Sequence, residues 1–519
     1  MPLYLGLDSS TQSLTALVID TDTQQVVLTR SVNFGADLPE YASKHGFLEN
    51  PDPKVRRSNP LMWVAALEKL LSDVRASGFD WGTIAGISGA GQQHGSVYLN
   101  KPISEVGGWS TSATLVDQIR PLLSRSEAPI WMDSSTSQEC RELAEAVGGP
   151  ERVTQITGSR PIERFTAAQI RAFYKQDPEA YARTREIHLV SSFMASILAG
   201  RSAPIDFGDG AGMNLLDLDQ LKWNPEMLEA TAPELARRLL PAVASSTQVG
   251  TVAQFFVETY GFKSGVPVYA FTGDNPSSLV GTGAVRPGTA IVSLGTSDTV
   301  FAAMRNPRVD PRGYGHVFGN PAGGFMCLVC FANGSLAREN VAQRVGLDWP
   351  AFEKAILDTP PGNSNALLLP YFVPEITPKI LKPEARAFGS PEFVEFRARE
   401  QMARAVVEAQ ALAMQRYSDW IGETPDLILA TGGASANRGI LQILADVFGA
   451  EVRTLEVNNS SALGGALRAA QAHSGLAWEK LFEAFVSGGR QLHVKPNTAA
   501  NYTALSQRFA EEVDRITTV

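Results

Sequence analysis

Apolar residues along the chain follow two rhythms. In "LYLGLDSSTQSLTALVID" a short apolar run, a Gly/Asp/Ser/Thr turn and a second run from Leu14 to Asp20 predict a hairpin with a hydroxyl-rich tip. Far downstream, "GTAIVSLGTSDTVFAAM" repeats the design, with its second strand expected from Val300. By contrast, "LMWVAALEKLLSDVRASG" places Leu61, Trp63, Val64, Leu67, Leu70, Leu71 and Val74 at helical spacing, and "TIAGISGAGQQHGSVYL" then returns to strand. In "LILATGGASANRGILQILADVFG" an apolar strand from Leu427 to Ala430 meets a glycine turn and then an amphipathic helix carrying Ile440, Leu441, Leu444 and Val447. Strands alternating with helices predict an α/β protein whose sheets are covered by helices. A chain of 519 residues exceeds the size at which one core stops growing, so two domains are expected, 1–285 and 286–519.

Composition narrows the class. With 44% hydrophobic and 19% charged residues the chain reads as soluble and globular. A net charge of -9 argues against nucleic acid as the main partner, although a small anion can still be held locally. The amino end lacks a basic region, and no run approaches the roughly 18 apolar residues of a membrane span, so a cytoplasmic protein without a membrane partner is expected. Of three cysteines, Cys327 and Cys330 have redox or half-zinc spacing, but no second Cys/His pair follows. We read them as thiols of an apolar strand.

The two hydroxyl-rich turns expose successive backbone N–H groups, the physics of an anion nest. Each alone is also ordinary turn chemistry, but facing each other they could grip one polyphosphate. The glycine turn between strand and helix is a third anion-favouring junction. No G-x-x-x-x-G-K-[ST] occurs, which excludes a Walker-type ATPase. In "FTGDNPSSLVGTG" Asp274 stands where a strand ends and a helix begins, and serves either as a cap or as a base.

The motifs "GLDSSTQS", "GQQHGS", "FTGDNP", "SLGTSDT" and "ATGGASANR", in this order, resemble those of the FGGY carbohydrate kinases, within the superfamily of actin, hexokinase and the heat-shock chaperone ATPases. The similarity runs from about residue 3 to about residue 475. It implies a two-domain actin/hexokinase-like (ribonuclease H-like) fold with a cleft between the domains. The first domain would bind sugar and carry the first phosphate loop and the catalytic Asp, and the second would carry the other phosphate loop and the adenosine site. The stretches "SGAGQQHGSVY", "WMDSST", "ERFTAAQI", "VSSFMAS" and "GMNLL" are similar to those of the longer, human-like xylulokinases. That resemblance implies phosphorylation of D-xylulose to D-xylulose 5-phosphate by Mg-ATP. Two alternatives stand beside it: a kinase of the same family for ribulose, gluconate, glycerol or a related polyol, and a non-catalytic nucleotide or sugar sensor. Monomer and homodimer both stay open.

Carried onto this chain, the resemblance makes Asp274 the general base, kept ionised with a low pKa by the helix dipole. Such a base is tolerable because a loose phosphoryl-transfer transition state relies mostly on positioning and electrostatics. Asp8 would meet Mg²⁺, directly or through water, unless it is only a turn aspartate. Ser10, Thr11 and Gln12 would hold phosphates in the first turn, and Gly295, Thr296 and Ser297 in the second. Gly432, Gly433, Ala434 and Asn437 match the adenosine site, with Trp349 either a lid on the base or a core residue. For the sugar the set is Gln93, His94, Asp133, Arg164, Asp274 and Asn275, Asp133 being alternatively a helix cap before Ser134 and Ser135. The family commonly closes its domains around bound substrates, which would exclude water.

Overall fold

In the computed structural model, which describes residues 2–456, 458–486, 492–497 and 500–517, the first hairpin forms as β1 (Leu3–Ser9) and β2 (Ser13–Asp20), antiparallel with Asp8 opposite Thr15. β3 (Gln25–Asn33) extends the sheet beyond β2, and β4 (Ile84–Gly91) runs parallel to β1 on its other side. β5 (Gln248–Thr251) and β6 (Pro267–Tyr269) complete the row beyond β4, while the short β7 (Thr272–Gly273) also pairs with β4. Register decides what this sheet presents. Asp8 and Thr272 both pair with Ala90, from either side of β4. Three parallel strands therefore end together: β1 runs into the hairpin tip, β4 into Gln92, Gln93 and His94, and β7 into Asp274. Carboxyl ends of parallel strands are where α/β sheets commonly bind ligands. The predicted helix forms over Pro60–Ala76, capped by the Asn59 side chain on the Leu61 N–H, with Trp63, Leu67, Leu70 and Leu71 buried.

A late helix, Ser460–Ser474, closes this unit by packing on β1, β4 and the helix Asp274–Gly281. The approach is backbone to backbone. A Cβ on Gly6 would stand 1.9 Å from the Ala462 carbonyl oxygen, one on Gly281 1.9 Å from that of Ser460, and one on Gly464 1.9 Å from that of Ser277. The Ser277 hydroxyl donates to the Ser461 carbonyl at 2.7 Å. Buried Arg468 donates from Nη1 to the Ala270 carbonyl at 2.9 Å and from Nη2 to that of Gly89. The first compact unit accordingly comprises Met1–Gly283, Val317–Phe325 and Val457–Gly488, and the second Ala284–His316, Met326–Glu456 and Gly489–Val519. A single cut near residue 285 describes only the first change of unit, because the chain returns twice.

In the second unit the repeated hairpin is β8 (Thr289–Leu294) and β9 (Asp298–Met304), the latter starting two residues before Val300 because Asp298 pairs with Leu294. β10 (Phe325–Phe331) lies beside β9 and holds Cys327, buried with its thiol pushed up to about 12, and half-buried Cys330. β11 (Leu427–Thr431) runs parallel to β8 with Thr431 level with Ser293, followed by parallel β12 (Glu451–Thr454) and the short β13 (His493–Val494). The amphipathic helix after the glycine turn forms over Arg438–Phe448, burying Ile440, Leu441, Leu444 and Val447. Among the described residues no helix is long and apolar enough to cross a membrane.

The glycine contacts yield a test with a definite sign. Inside a helix, Gly464→Ala gains about 1 kcal/mol of intrinsic helix preference. Against this, the added methyl would meet a backbone carbonyl at a separation no real contact shows. Overpacking of this kind costs about 1–3 kcal/mol or more, so a net loss of stability is expected in urea unfolding. A variant as stable as the parent would mean that the helix is not seated this closely.

Candidate active site

Two carboxylates stand at the ends of β1 and of β7. Asp274 is the first residue of its helix, with Gly273 in the cap position, so it is not the cap. Its Oδ1 accepts from the Asn275 backbone N–H at 2.8 Å and from Asn275 Nδ2 at 3.1 Å. Burial nevertheless pushes its carboxyl up to about 6, and the backbone N–H groups of Asn275 and Gln93 only partly offset this. The expectation of a low pKa is thus corrected: desolvation outweighs the helix dipole. Asp8 is pushed up to about 7, first by burial and then by the charge of Asp274, with the Ser461 hydroxyl acting in the opposite direction. Its Oδ1 is buried and accepts no hydrogen bond among the described residues.

These acids bear on the fit of a magnesium ion. No group of three or more His, Cys, Asp or Glu able to cage a metal occurs among the described residues. Mg²⁺ does not need one, since it keeps several waters and uses one or two carboxylates together with substrate phosphates. A buried, unpaired carboxylate oxygen facing a second acid is a suitable partner for such a cation. The residues fit.

Of the expected sugar ligands, Gln93 and Asn275 stand beside Asp274, with His94 next in the chain to Gln93. Gln93 Oε1 accepts from Asn275 Nδ2 at 2.8 Å, leaving its Nε2 buried without an acceptor among the described residues. His94 adopts a left-handed backbone (φ 69°), stacks on Phe165 at 4.4 Å and bonds the Gly212 carbonyl through Nδ1 at 2.8 Å. A carbonyl only accepts, so Nδ1 carries the proton of that bond. Arg164 is half-buried beside Phe165, its guanidinium 5.8 Å from the ring centroid.

Asp133 differs from the others. Its carboxylate accepts from Arg56 N–H (2.9 Å), Ser135 N–H (3.0 Å), Ser135 Oγ (2.6 Å) and Gln169 Nε2 (2.9 Å). Three of these donors meet Oδ1, and Oδ2 takes only the Arg56 N–H. Asp133 ties down the segment before Pro60 through the Arg56 N–H, and it is not a helix cap, since Thr136 precedes the next helix.

In the first turn Ser10 spends both donors inside the hairpin, its N–H and its hydroxyl each going to the Ser13 carbonyl (3.0 and 3.1 Å). Ser10 closes the turn, whereas half-buried Thr11 and exposed Gln12 form its tip. In the second unit Gly295, Thr296, Trp349, Gly433, Ala434 and Asn437 line one pocket of about 590 Å³. Trp349 is 50% exposed, so it is no core residue. Asn437 Oδ1 caps the following helix by accepting from Ile440 N–H at 3.0 Å. Gly432 (φ 88°) and Ser297 do not line the pocket. A Cβ on Gly432 would lie 2.6 Å from the Leu294 carbonyl oxygen, which shows why the turn beside β8 needs glycine.

Several supporting groups escape sequence reasoning. Arg338, 1% exposed, forks onto Asp298 at 2.8 and 3.0 Å and reaches Gln410 at 2.9 Å, fixing the strand that leaves the second turn. Fully buried Asp206 accepts from Ser245, Thr272 and the Asp209 N–H, and Asp209 accepts from Ser191. Burial raises Asp206, and raises Asp209 well above the carboxylate range. In "DFGDG" these acids look like turn residues. Arg468 was the readable signal, a lone cation in the small-residue run "SSALGGALRAA".

The chain belongs to the FGGY family of carbohydrate kinases: residues 3–281 match that family's N-terminal domain and residues 290–473 its C-terminal domain. Among curated proteins it is similar to the xylulose kinase of Rattus norvegicus, 41% identical over 99% of this chain and 96% of that protein. It is likewise similar to xylulose kinase 2 of Arabidopsis thaliana, 39% identical over 90% of this chain and 87% of that protein. The fold matches the crystal structure of xylulose kinase from Rhodospirillum rubrum (TM-score 0.82, 20% identity, 99% of each chain). It also matches Plasmodium falciparum glycerol kinase with ADP (TM-score 0.76, 14% identity, 100% of this chain and 98% of that one).

The raised carboxyls predict a pH dependence of stability. A carboxyl whose folded pKa lies above its unfolded value near 4 stabilises the fold below that value and loses this contribution as pH rises through the folded pKa. With Asp274 at about 6 and Asp8 at about 7, the unliganded protein should lose stability between about pH 4 and 7. Asp8→Asn should flatten that slope, though not abolish it, because Asp209 acts in the same direction. Parallel denaturation curves for parent and variant across this range would contradict the burial of Asp8.

Proposed function

We propose that the protein transfers the terminal phosphate of ATP to the terminal hydroxyl of D-xylulose, giving D-xylulose 5-phosphate. The observation that carries this reading is near-full-length similarity to xylulose kinases of animals and plants, in a chain that keeps Asp8 and Asp274 at adjoining strand ends.

On this reading Asp274 removes the hydroxyl proton. A carboxyl near 6 is ionised at neutral pH yet basic enough to accept a proton late in the transfer. The Gln93 Nε2, His94, Arg164 and Asn275 orient the hydroxyls and the ketone. A site built this way discriminates sugars by the hydrogen bonds a wrong substrate leaves unmade. Asp8 would hold magnesium, directly or through water, and the ion would supply positive charge against the phosphates. Thr11, Gln12, Gly295, Thr296 and Ser297 donate to phosphate oxygens, while Gly433, Ala434 and Asn437 shape the adenosine pocket, with Trp349 against the base.

A coupled ADP-release assay with Mg-ATP and a panel of D-xylulose, L-xylulose, D-ribulose, L-ribulose, glycerol and gluconate tests the proposal. D-Xylulose should be the best substrate, with kcat/KM falling below about pH 6 as Asp274 protonates. Asp274→Ala should lower kcat by about 10²–10⁴-fold while leaving sugar and nucleotide binding largely intact. Preference for another sugar would overturn the substrate assignment, and absence of sugar-dependent ADP would overturn the enzymatic one.

A further inference from the structure

Trp131 is 43% exposed, an unfavourable place for a large ring unless its polar edge is used. That edge is used: the indole Nε1–H donates to the Thr11 hydroxyl oxygen at 2.8 Å, across 120 residues of chain. Indole is a donor only, so the direction of the bond is settled. A threonine hydroxyl has one O–H and two acceptor sites. With the indole on an acceptor site, the Thr11 O–H must point elsewhere, and it donates to no acceptor among the described residues. Its neighbour behaves oppositely, since the Ser10 hydroxyl is spent on the Ser13 carbonyl.

Both partners are held from behind. The Ile130 N–H donates to the Arg56 carbonyl at 3.2 Å, and the Asp133 N–H to the Ile130 carbonyl at 2.9 Å, while the Asp133 carboxylate returns to the Arg56 N–H. A Cβ on Gly46 would lie 1.8 Å from the Thr11 carbonyl oxygen, so the segment before Pro60 presses on the turn from the other side. The Ser58 hydroxyl donates to the Gly46 carbonyl, tying that segment down.

We infer that Trp131 is a positioning residue for phosphoryl transfer, one that aims the Thr11 O–H outward as a donor to a phosphate oxygen of the nucleotide. The inference rests on reading the first hairpin tip as a phosphate loop. It gives the stretch between Gly35 and Pro60 a purpose, as the backing that keeps the Trp131–Thr11 pair in place.

Trp131→Phe, Thr11→Val and the double variant, compared in steady-state kinetics, separate the inference from that reading. Trp131→Phe keeps the ring and removes only the N–H. It should lower kcat/KM for ATP by about two- to tenfold, the effect of one neutral hydrogen bond, and leave the KM for sugar unchanged. Thr11→Val should lower kcat/KM for ATP by about ten- to a hundredfold, as expected for a lost bond to a charged group. The double variant should match Thr11→Val, because Trp131 acts only through Thr11. No effect of Thr11→Val would overturn the phosphate-loop reading. A clear effect of Thr11→Val with none from Trp131→Phe, or two effects that multiply in the double variant, would overturn the role of Trp131. So would an equal rise in the sugar KM for Trp131→Phe, which would mark a general disturbance of the fold.

Discussion

The approach of the Ser460–Ser474 helix to β1 and to the Asp274–Gly281 helix is the contact on which the first unit depends. Gly6, Gly281 and Gly464 let carbonyl oxygens come where any side chain would collide. What the closeness achieves is desolvation. The helix covers the face of β1 that carries Asp8 and brings Ser461 beside it, and it seats the helix whose first residue is Asp274. Interiors packed to this density do not yield by small amounts, so the two acids keep a fixed relation to each other and to the strand ends.

That relation decides the electrostatics. A helix dipole acting on a first-turn carboxylate is worth about 0.3–1 kcal/mol, less than one pK unit. Burial acts the other way on Asp274 and is the larger effect. Asp8 suffers burial and a like charge together, which makes it the more perturbed of the two. Two acids that resist ionising side by side are a poor resting state and a good receptor for a cation, since positive charge relieves both penalties at once. The same burial that weakens the unliganded protein thus prepares the site for its ligands.

Much of this was legible in the sequence, because the local signals agreed with the final fold. Period-two and period-3.6 runs located both hairpins, the Pro60–Ala76 helix and the strand, glycine turn and helix around residue 432. The nearness of Gln93, Asp274 and Asn275 is visible in their hydrogen bonds. The state of Asp274 could not be read, since burial in the folded unit, not the local helix start, dominates it. The surroundings of Asp133 and Ser10 could not be read for a related reason. An Asp or Ser in a turn looks alike whether it faces a ligand or its own backbone, and only the three-dimensional neighbours, Gln169 and Arg56 for the one and Ser13 for the other, settle which. Arg468 shows the opposite failing, a signal present in a small-residue helix whose buried partners, the Ala270 and Gly89 carbonyls, lie in distant strands.

The late arrival of that helix also sets an order on folding. A ribosome releases β1, β4 and the Asp274 segment early, but the piece that seals them is made only after most of the second unit has been synthesised. The nascent first unit must therefore wait with its sheet face uncovered, and contacts between Gly6 and Ala462 span nearly the whole chain, a topology that folds slowly. Fragments ending before Ser460 would contain both acids yet lack the helix that brings Ser461 beside Asp8. Completion of the first unit is in this way deferred until most of the polypeptide exists.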